Sequence, residues 1–245
     1  MPVYDPNHIE YSITSGHIHI VMDDGHQLPA YWSHPKLGNR FPGIALIHDW
    51  WGVNSAVRRL AHLFSQMGYY VIVPDLFNEQ VATTPQQAMA LVEALGDKGY
   101  PRIHAALTTL ESHHQGNKDV AAVGIGMGGS LAFEAAIVRD DLEAAVAFAG
   151  FPQRYFGRFK DAQTPILAFY GSDEPHIKAP VIEQLKREFV QSQVGHEVVI
   201  LPNIGHDFFI DGLSEEQQTQ GRSAISKTLE FLEKFLKGIG ARRAK

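Results

Sequence analysis

Residues 120–130 read VAAVGIGMGGS, and this stretch decides the fold of the 245-residue chain. The short, continuous apolar run 120–124 is typical of a strand buried on both faces of a sheet. Several glycines follow, and they permit a tight turn into a predicted helix, 128–139. A strand, a tight turn and a helix form the repeating unit of a parallel sheet covered by helices.

The same unit recurs along most of the chain, and two extended runs around Asp24-Gly25 predict an N-terminal β-hairpin. The pattern predicts an α/β fold with a mostly parallel central sheet, helices on both faces, and a single domain over 1–245. The predicted strands are 17–22, 27–34, 43–47, 69–74, 120–124, 144–148, 165–170 and 197–201. The predicted helices are 54–68, 84–96, 101–116, 128–139, 179–194 and 214–238.

The composition excludes several kinds of chemistry. The chain has no cysteine, which removes disulfides, thiolate metal sites and a cysteine nucleophile. A net charge of −6 leaves no basic excess for nucleic acid. No segment approaches the roughly 20 apolar residues of a membrane span, and residues 1–11 lack the features of a signal peptide. We therefore expect a cytoplasmic protein with no membrane partner; its oligomeric state is not specified.

Ligand chemistry in parallel sheets lies at the carboxyl ends of the strands. Four predicted turns at such ends carry candidate site residues. Residues 124–128 have the form G-x-nucleophile-x-G, but the middle residue is Gly126, which has no side chain. A second turn, 170–177, offers Asp173 and Glu174 as carboxylates, and a third, 203–209, offers His206 as a general base. The fourth, 47–54, contains Asp49.

Five segments in order resemble the dienelactone hydrolase family of the α/β-hydrolase fold. They are IHDWWGVN (47–54), YYVIVPDLF (69–77), VGIGMGGSLA (123–132), YGSDEPHI (170–177) and IGHDFF (204–209). The resemblance spans most of the chain and implies a hydrolase of carboxylic esters or lactones with a Cys-His-Asp triad. It implies no cofactor and no metal, and a small ester, lactone or other carbonyl compound as the ligand.

The resemblance also implies a role for individual positions. The family's cysteine falls on Gly126 and its histidine on His206. Its acid falls on Glu174 when the turn is counted from Gly171, a register that the following Pro-His-Ile favours, or on Asp173 when an aspartate is required. Asp49 stands where the family often has a glutamate near the resting cysteine. The implied oxyanion hole consists of the backbone N–H groups of Met127 and Trp50.

Several alternatives stay open in the sequence. Glycine at position 126 fits either a scaffold that has lost its nucleophile, and so only binds a ligand, or a site in which His206 activates water or removes a substrate proton. Asp49 fits either an acid–base role or a loop-stabilising role. Trp51 and Phe208 are predicted to line the substrate pocket, although both also fit the core. His17 and His19 share a strand face, where solvent exposure is favoured over metal binding.

Overall fold

The computed structural model describes residues 10–236. Its strands are β1 (Ile13–Val21), β2 (Gln27–Pro35), β3 (Phe41–Ile47), β4 (Tyr70–Pro74), β5 (Gly116–Ile125), β6 (Ala144–Phe148), β7 (Ile166–Gly171) and β8 (Glu197–Leu201). Its α-helices are α1 (Ser55–Gln66), α2 (Pro85–Leu95), α3 (Gly99–Ser112), α4 (Met127–Val138), α5 (Ala179–Gln191) and α6 (Glu215–Phe235). Two short 3₁₀ turns, Gln153–Tyr155 and Phe159–Asp161, lie between β6 and β7.

One eight-stranded sheet has the order β1-β2-β4-β3-β5-β6-β7-β8. The predicted hairpin is confirmed, because β1 and β2 pair antiparallel, and β2 pairs antiparallel with β4. The pairings from β4 through β8 are all parallel. The strands β3, β5, β6, β7 and β8 therefore end at the same edge of the sheet, and the loops that follow them meet there.

Helices cover both faces of the sheet, as predicted. Buried side chains of α2, α3, α4 and α5 pack on one face, and those of α1 and α6 pack on the other. The central strand β5 serves both layers, since Val120 and Ala122 face one while Ala121 and Val123 face the other. Burial on both faces explains why these strands are continuous apolar runs rather than alternating ones.

Side-chain caps fix two of the helices that border the site edge. The Asn54 carboxamide oxygen accepts the Val57 N–H at 3.1 Å and starts α1 directly after the loop that follows β3. Ser214 and Gln217 form a reciprocal capping box at the start of α6. Both helices thus begin where the sequence predicts.

Several boundaries differ from prediction by up to four residues; β1, for example, begins at Ile13 rather than at 17, and α3 ends at Ser112 rather than at 116. β5 begins at Gly116 rather than at residue 120, because the polar residues 116–119 continue the strand towards Phe41 of β3 across an irregularity in register. α3 begins at Gly99, two residues before Pro101, where the backbone lies against Leu131. The predicted end of the last helix at 238 lies outside the described residues. Within 10–236, no helix is long and apolar enough to cross a membrane.

Candidate active site

The turn between β5 and α4 has the backbone shape that presents a side chain above the sheet edge. Gly126 has φ +53° and ψ −114°, a region that L-residues rarely adopt. The chain can turn this tightly because Gly124 and Gly128 lack side chains. A Cβ on Gly124 would collide with the Gly128 carbonyl, and one on Gly128 would collide with the Ile47 carbonyl.

Space alone does not require glycine at position 126. A Cβ placed there would lie 3.4 Å from His206 Nε2 and 3.6 Å from the Asp49 Cβ, both ordinary contact distances. The backbone conformation, by contrast, is free of strain only for glycine. The turn is therefore relaxed in this chain, and a side chain at 126 would point between His206 and Asp49.

His206 is held by a carboxylate on the side away from Gly126. Its Nδ1 lies 2.8 Å and 3.0 Å from the two oxygens of Glu174, so that Nδ1–H donates and Nε2 faces the elbow turn, 124–128. The Glu174 side chain is only 2% exposed and that of His206 is 18% exposed. Burial opposes ionisation of Glu174, but hydrogen bonds from His206 and the His176 backbone outweigh it, so the pKa of Glu174 lies below its usual value.

The structure places Glu174, and not Asp173, against His206. The Glu174 Oε1 also accepts the backbone N–H groups of His176 at 2.8 Å and Ile177 at 3.3 Å, which fixes the carboxylate within its own turn. Asp173 is exposed, and its carboxylate accepts the Ser172 hydroxyl at 2.9 Å. The His176 ring packs edge-on against His206, with centroids 5.0 Å apart.

Asp49 lies across the elbow turn from His206, in a loop anchored by a buried histidine. His48 Nδ1–H donates to the Asp49 carbonyl at 2.6 Å, and His48 Nε2 accepts the Leu76 N–H at 3.0 Å. The Asp49 carboxylate accepts the Trp51 N–H at 2.8 Å. Burial, aided by the nearby Asp207 charge, raises the pKa of Asp49 from about 3.8 to about 6. Asp49 can therefore exchange a proton near neutral pH.

The two predicted oxyanion donors border the same space. Met127 is the first residue of α4, where backbone N–H groups have no partner within the helix and the helix dipole favours negative charge. Trp50 follows Asp49 in the turn after β3 and lines the same cavity as Met127. Both residues thus lie at the carboxyl edge of the sheet and line the same cavity as Gly126.

These groups open into a cavity of about 350 Å³ with mainly apolar walls. Ser130 is part of the wall, but its hydroxyl accepts the Phe151 N–H at 2.9 Å, a structural contact. The lining residues are Asp49, Trp50, Val92, Ile125, Gly126, Met127, Ser130, Phe151, His176, His206 and Asp207.

Two predicted pocket residues lie elsewhere. The prediction for Phe208 is wrong: its side chain is 2% exposed and packs on Phe148 in the core beneath α1 and α6, because the chain turns inward after His206. Trp51 does not line the cavity either; its ring packs edge-on against Trp50 at 5.1 Å, and its carbonyl accepts the Ala82 N–H. Both residues support the loops that carry the site.

The sequence did not predict several of the lining residues, among them Phe151, Asp207 and Val92. Phe151 follows β6, and its position after a strand of the parallel sheet is a signal that points to the site edge. Asp207 is the neighbour of His206 in a segment already singled out. Val92 lies in α2, far along the chain, and only the packing of that helix brings it to the cavity.

The structure describes residues 10–236, which include the candidate metal-binding pair His17 and His19. No group of three or more histidine, aspartate or glutamate side chains there is placed to hold a metal ion. His17 and His19 lie exposed on one face of β1.

Asp49→Asn is expected to stabilise the protein at pH 8. The raised pKa means that the folded protein binds the Asp49 proton more tightly than the unfolded chain, so stability falls as pH rises from about 4 through about 6. The pKa difference corresponds to about 2–3 kcal/mol, of which we expect about 1–2 kcal/mol in the variant, since the amide is also desolvated. Urea unfolding between pH 8 and pH 4 measures it.

The expected gain shrinks steadily on acidification, because the wild-type carboxyl then becomes neutral. Asp140→Asn is the control, because it removes the same negative charge from an exposed side chain. It should shift the free energy of unfolding by less than about 0.5 kcal/mol. A gain in the free energy of unfolding that does not depend on pH would contradict the raised pKa of Asp49.

Comparison with known proteins connects this geometry to a family. The model of the dienelactone hydrolase family matches residues 28–236. A relative from Methylorubrum extorquens AM1, named "Putative carboxymethylenebutenolidase", is 24% identical over 215 residues, covering 81% of this chain and 74% of that protein.

Two solved structures share the fold. One, "Putative Dienelactone Hydrolase" from Klebsiella pneumoniae, has a TM-score of 0.80 and 22% identity, covering 91% of this chain and 100% of its own. The other, a dienelactone hydrolase-like promiscuous phosphotriesterase from metagenomic libraries, has a TM-score of 0.78 and 23% identity, with coverages of 91% and 99%. At these identities the likeness shows the α/β-hydrolase fold.

Proposed function

The chain belongs to the dienelactone hydrolase family, and we propose that it hydrolyses small, largely apolar esters or lactones with His206 activating water directly. The observation that carries this proposal is the position of His206 Nε2, 3.4 Å from the point where a side chain on Gly126 would begin. The relative from Methylorubrum extorquens is named for a butenolide, a cyclic unsaturated ester that here carries a carboxymethylene group, and the name supports an ester or lactone ring as the reacting group without fixing the charge of the substrate of this chain.

Direct attack by water follows from the residue at position 126. A covalent route needs a nucleophilic side chain there, and glycine has none. With Nδ1 held by an ionised Glu174, the free Nε2 of His206 is oriented to accept a proton from a water molecule beside Gly126. The Glu174 charge also stabilises the imidazolium that forms.

The proposed reaction has two steps. The water oxygen bonds to the substrate carbonyl carbon while its proton passes to His206 Nε2, and the N–H groups of Met127 and Trp50 stabilise the oxyanion. The carbon–oxygen bond to the leaving alcohol then breaks, and His206 returns the proton to that oxygen. Products are the carboxylic acid and the alcohol, and no bond to the protein forms.

Gly126 also favours a second candidate, a non-catalytic relative that binds a small carbonyl compound in the same cavity. In well-studied triads, loss of the nucleophile leaves roughly 10³–10⁴-fold acceleration over water from binding and the oxyanion hole. A binding protein would need neither the Glu174–His206 hydrogen bonds nor the orientation of Nε2 towards Gly126, whereas the proposed hydrolase needs both.

The proposal predicts turnover without a covalent intermediate. Wild-type protein mixed with phenyl acetate is expected to release phenol linearly, with no initial burst, and intact-protein mass spectrometry of quenched samples should find no acetylated protein. Ester binding with no turnover above buffer would favour the binding-protein alternative. An acetyl group mapped to any side chain would replace the water route with a covalent one.

A further inference from the structure

Every ionisable side chain that lines the cavity, apart from the histidines, is acidic. Asp49 and Asp207 are the two lining carboxylates, and the ionised Glu174 lies directly behind His206. Among residues 10–236, neither lysine nor arginine lines this cavity. An anionic ligand would thus meet negative charge with no charged partner in the wall.

The rest of the wall strengthens these charges. Most of the cavity surface is apolar, and this part is formed by Trp50, Val92, Ile125, Met127 and Phe151. Apolar walls exclude water and lower the local dielectric constant, which increases the interaction between a bound charge and a nearby carboxylate. Asp207 is exposed and Asp49 is half-buried, so Asp207 is the more accessible of the two carboxylates to an entering ligand.

We propose that Asp207 makes the cavity selective by charge, so that it admits uncharged or cationic carbonyl compounds of mainly apolar bulk and excludes carboxylates. The inference rests on the proposed function for the identity of the cavity as the substrate site, and it names the class of substrate. Electrostatic repulsion at a few ångströms in a partly desolvated site weakens binding of a matched anion by about 10–100-fold.

The interaction of Asp207 with Asp49 provides independent support. Besides burial, the Asp207 charge contributes to the raised pKa of Asp49, so Asp207 acts on a carboxylate that lies next to Gly126. A ligand carboxylate placed near Asp49 would experience the same repulsion.

A set of three non-hydrolysable ketones tests the proposal. Phenylacetones that carry a methyl, a carboxylate or a trimethylammonium group at the 4-position are titrated into wild-type protein at pH 8 and low ionic strength, and dissociation constants are measured by NMR. We expect the carboxylate to bind about 10–100-fold more weakly than the methyl compound, and the cation to bind at least as well as the methyl compound.

Two variants, each of which removes one negative charge, test whether Asp207 causes the discrimination against the carboxylate. Asp207→Asn should strengthen binding of the carboxylate about tenfold more than it changes binding of the methyl compound. Asp140→Asn, which lies beyond the end of α4 at the opposite edge of the sheet, should change neither. Raising the salt concentration should reduce the discrimination in the wild type, because the Asp207 charge is exposed.

Equal affinity for the methyl and carboxylate compounds would overturn the proposal, and so would the same change in both variants or failure of all three ketones to bind. If the ketones bind with the expected selectivity but no ester is hydrolysed, charge selectivity stands and the proposed hydrolase activity fails. The two ideas are thereby tested separately.

Discussion

Gly126→Cys is expected to hydrolyse phenyl acetate roughly 10²–10⁴ times faster than the wild type. The new Cβ would lie 3.4 Å from His206 Nε2, which places the thiol within reach of a base that Glu174 already orients. Proton transfer to His206 produces a thiolate beside the Met127 N–H and the start of α4, an environment that lowers a thiol pKa. The variant should show burst kinetics and an acetylated cysteine.

The gain in activity has a cost in stability. A residue other than glycine at φ +53° is strained by about 1–3 kcal/mol, so Gly126→Cys should unfold at lower urea concentration than the wild type. Gly126→Ala is the matched control, because it introduces the same Cβ and the same strain but no nucleophile. It should be no faster than the wild type, since its methyl group takes the place proposed for the attacking water.

If Gly126→Cys is no faster than Gly126→Ala, the geometry assigned to His206 is wrong. If the cysteine variant gains activity while the wild type has none, the scaffold is competent and the native chain is a binding protein. The comparison thus decides between the two candidate functions.

His206→Ala is expected to lose about 10²–10⁴-fold in the hydrolysis of phenyl acetate by the wild-type scaffold, the usual contribution of a general base. Since Glu174 keeps its hydrogen bonds from the His176 and Ile177 backbone, the acid turn should survive the substitution. Steady-state rates and thermal unfolding of both proteins provide the measurement. Added imidazole should restore part of the rate, which a purely structural role for His206 would not allow.

The control for His206→Ala is His26→Ala, an exposed histidine in the turn of the β1–β2 hairpin. It should keep the wild-type rate. A wild-type rate that survives His206→Ala would exclude His206 as the base and leave Asp49 as the remaining proton acceptor at Gly126.

The fold was readable from the sequence because strands buried on both faces leave continuous apolar runs, as in 120–124, and glycines mark the turns. The strand-end rule brought Asp49, Gly126 and His206 together without any coordinates. The sequence favoured Glu174 over Asp173 without deciding between them, since the choice depends on one backbone turn that sends adjacent side chains in different directions. Phe208 was misplaced for a similar reason, because a loop has no periodicity that assigns its faces.

Helix packing also limits how many of the cavity-lining residues can be predicted from the sequence. Val92 reaches the cavity only because α2 packs across the edge of the sheet, and no local pattern in 85–95 indicates that contact. The apolar composition of the cavity could be anticipated in kind, but not residue by residue. The sequence therefore predicts the candidate catalytic residues better than it predicts the residues that line the cavity.

The His48 anchor gives this loop a second, opposite dependence on pH. Burial lowers the pKa of His48 below its usual 6.5. The folded protein therefore loses stability as the pH falls below about 6.5, because acid protonates this histidine more readily in the unfolded chain. Asp49, the next residue in the chain, has the opposite effect. As the pH falls from about 6 to about 4, protonation of Asp49 in the folded protein raises the free energy of unfolding. The two effects partly cancel, and in Asp49→Asn the acid sensitivity of His48 should no longer be offset by its neighbour. Two consecutive residues would thus buffer the stability of the protein against changes in pH.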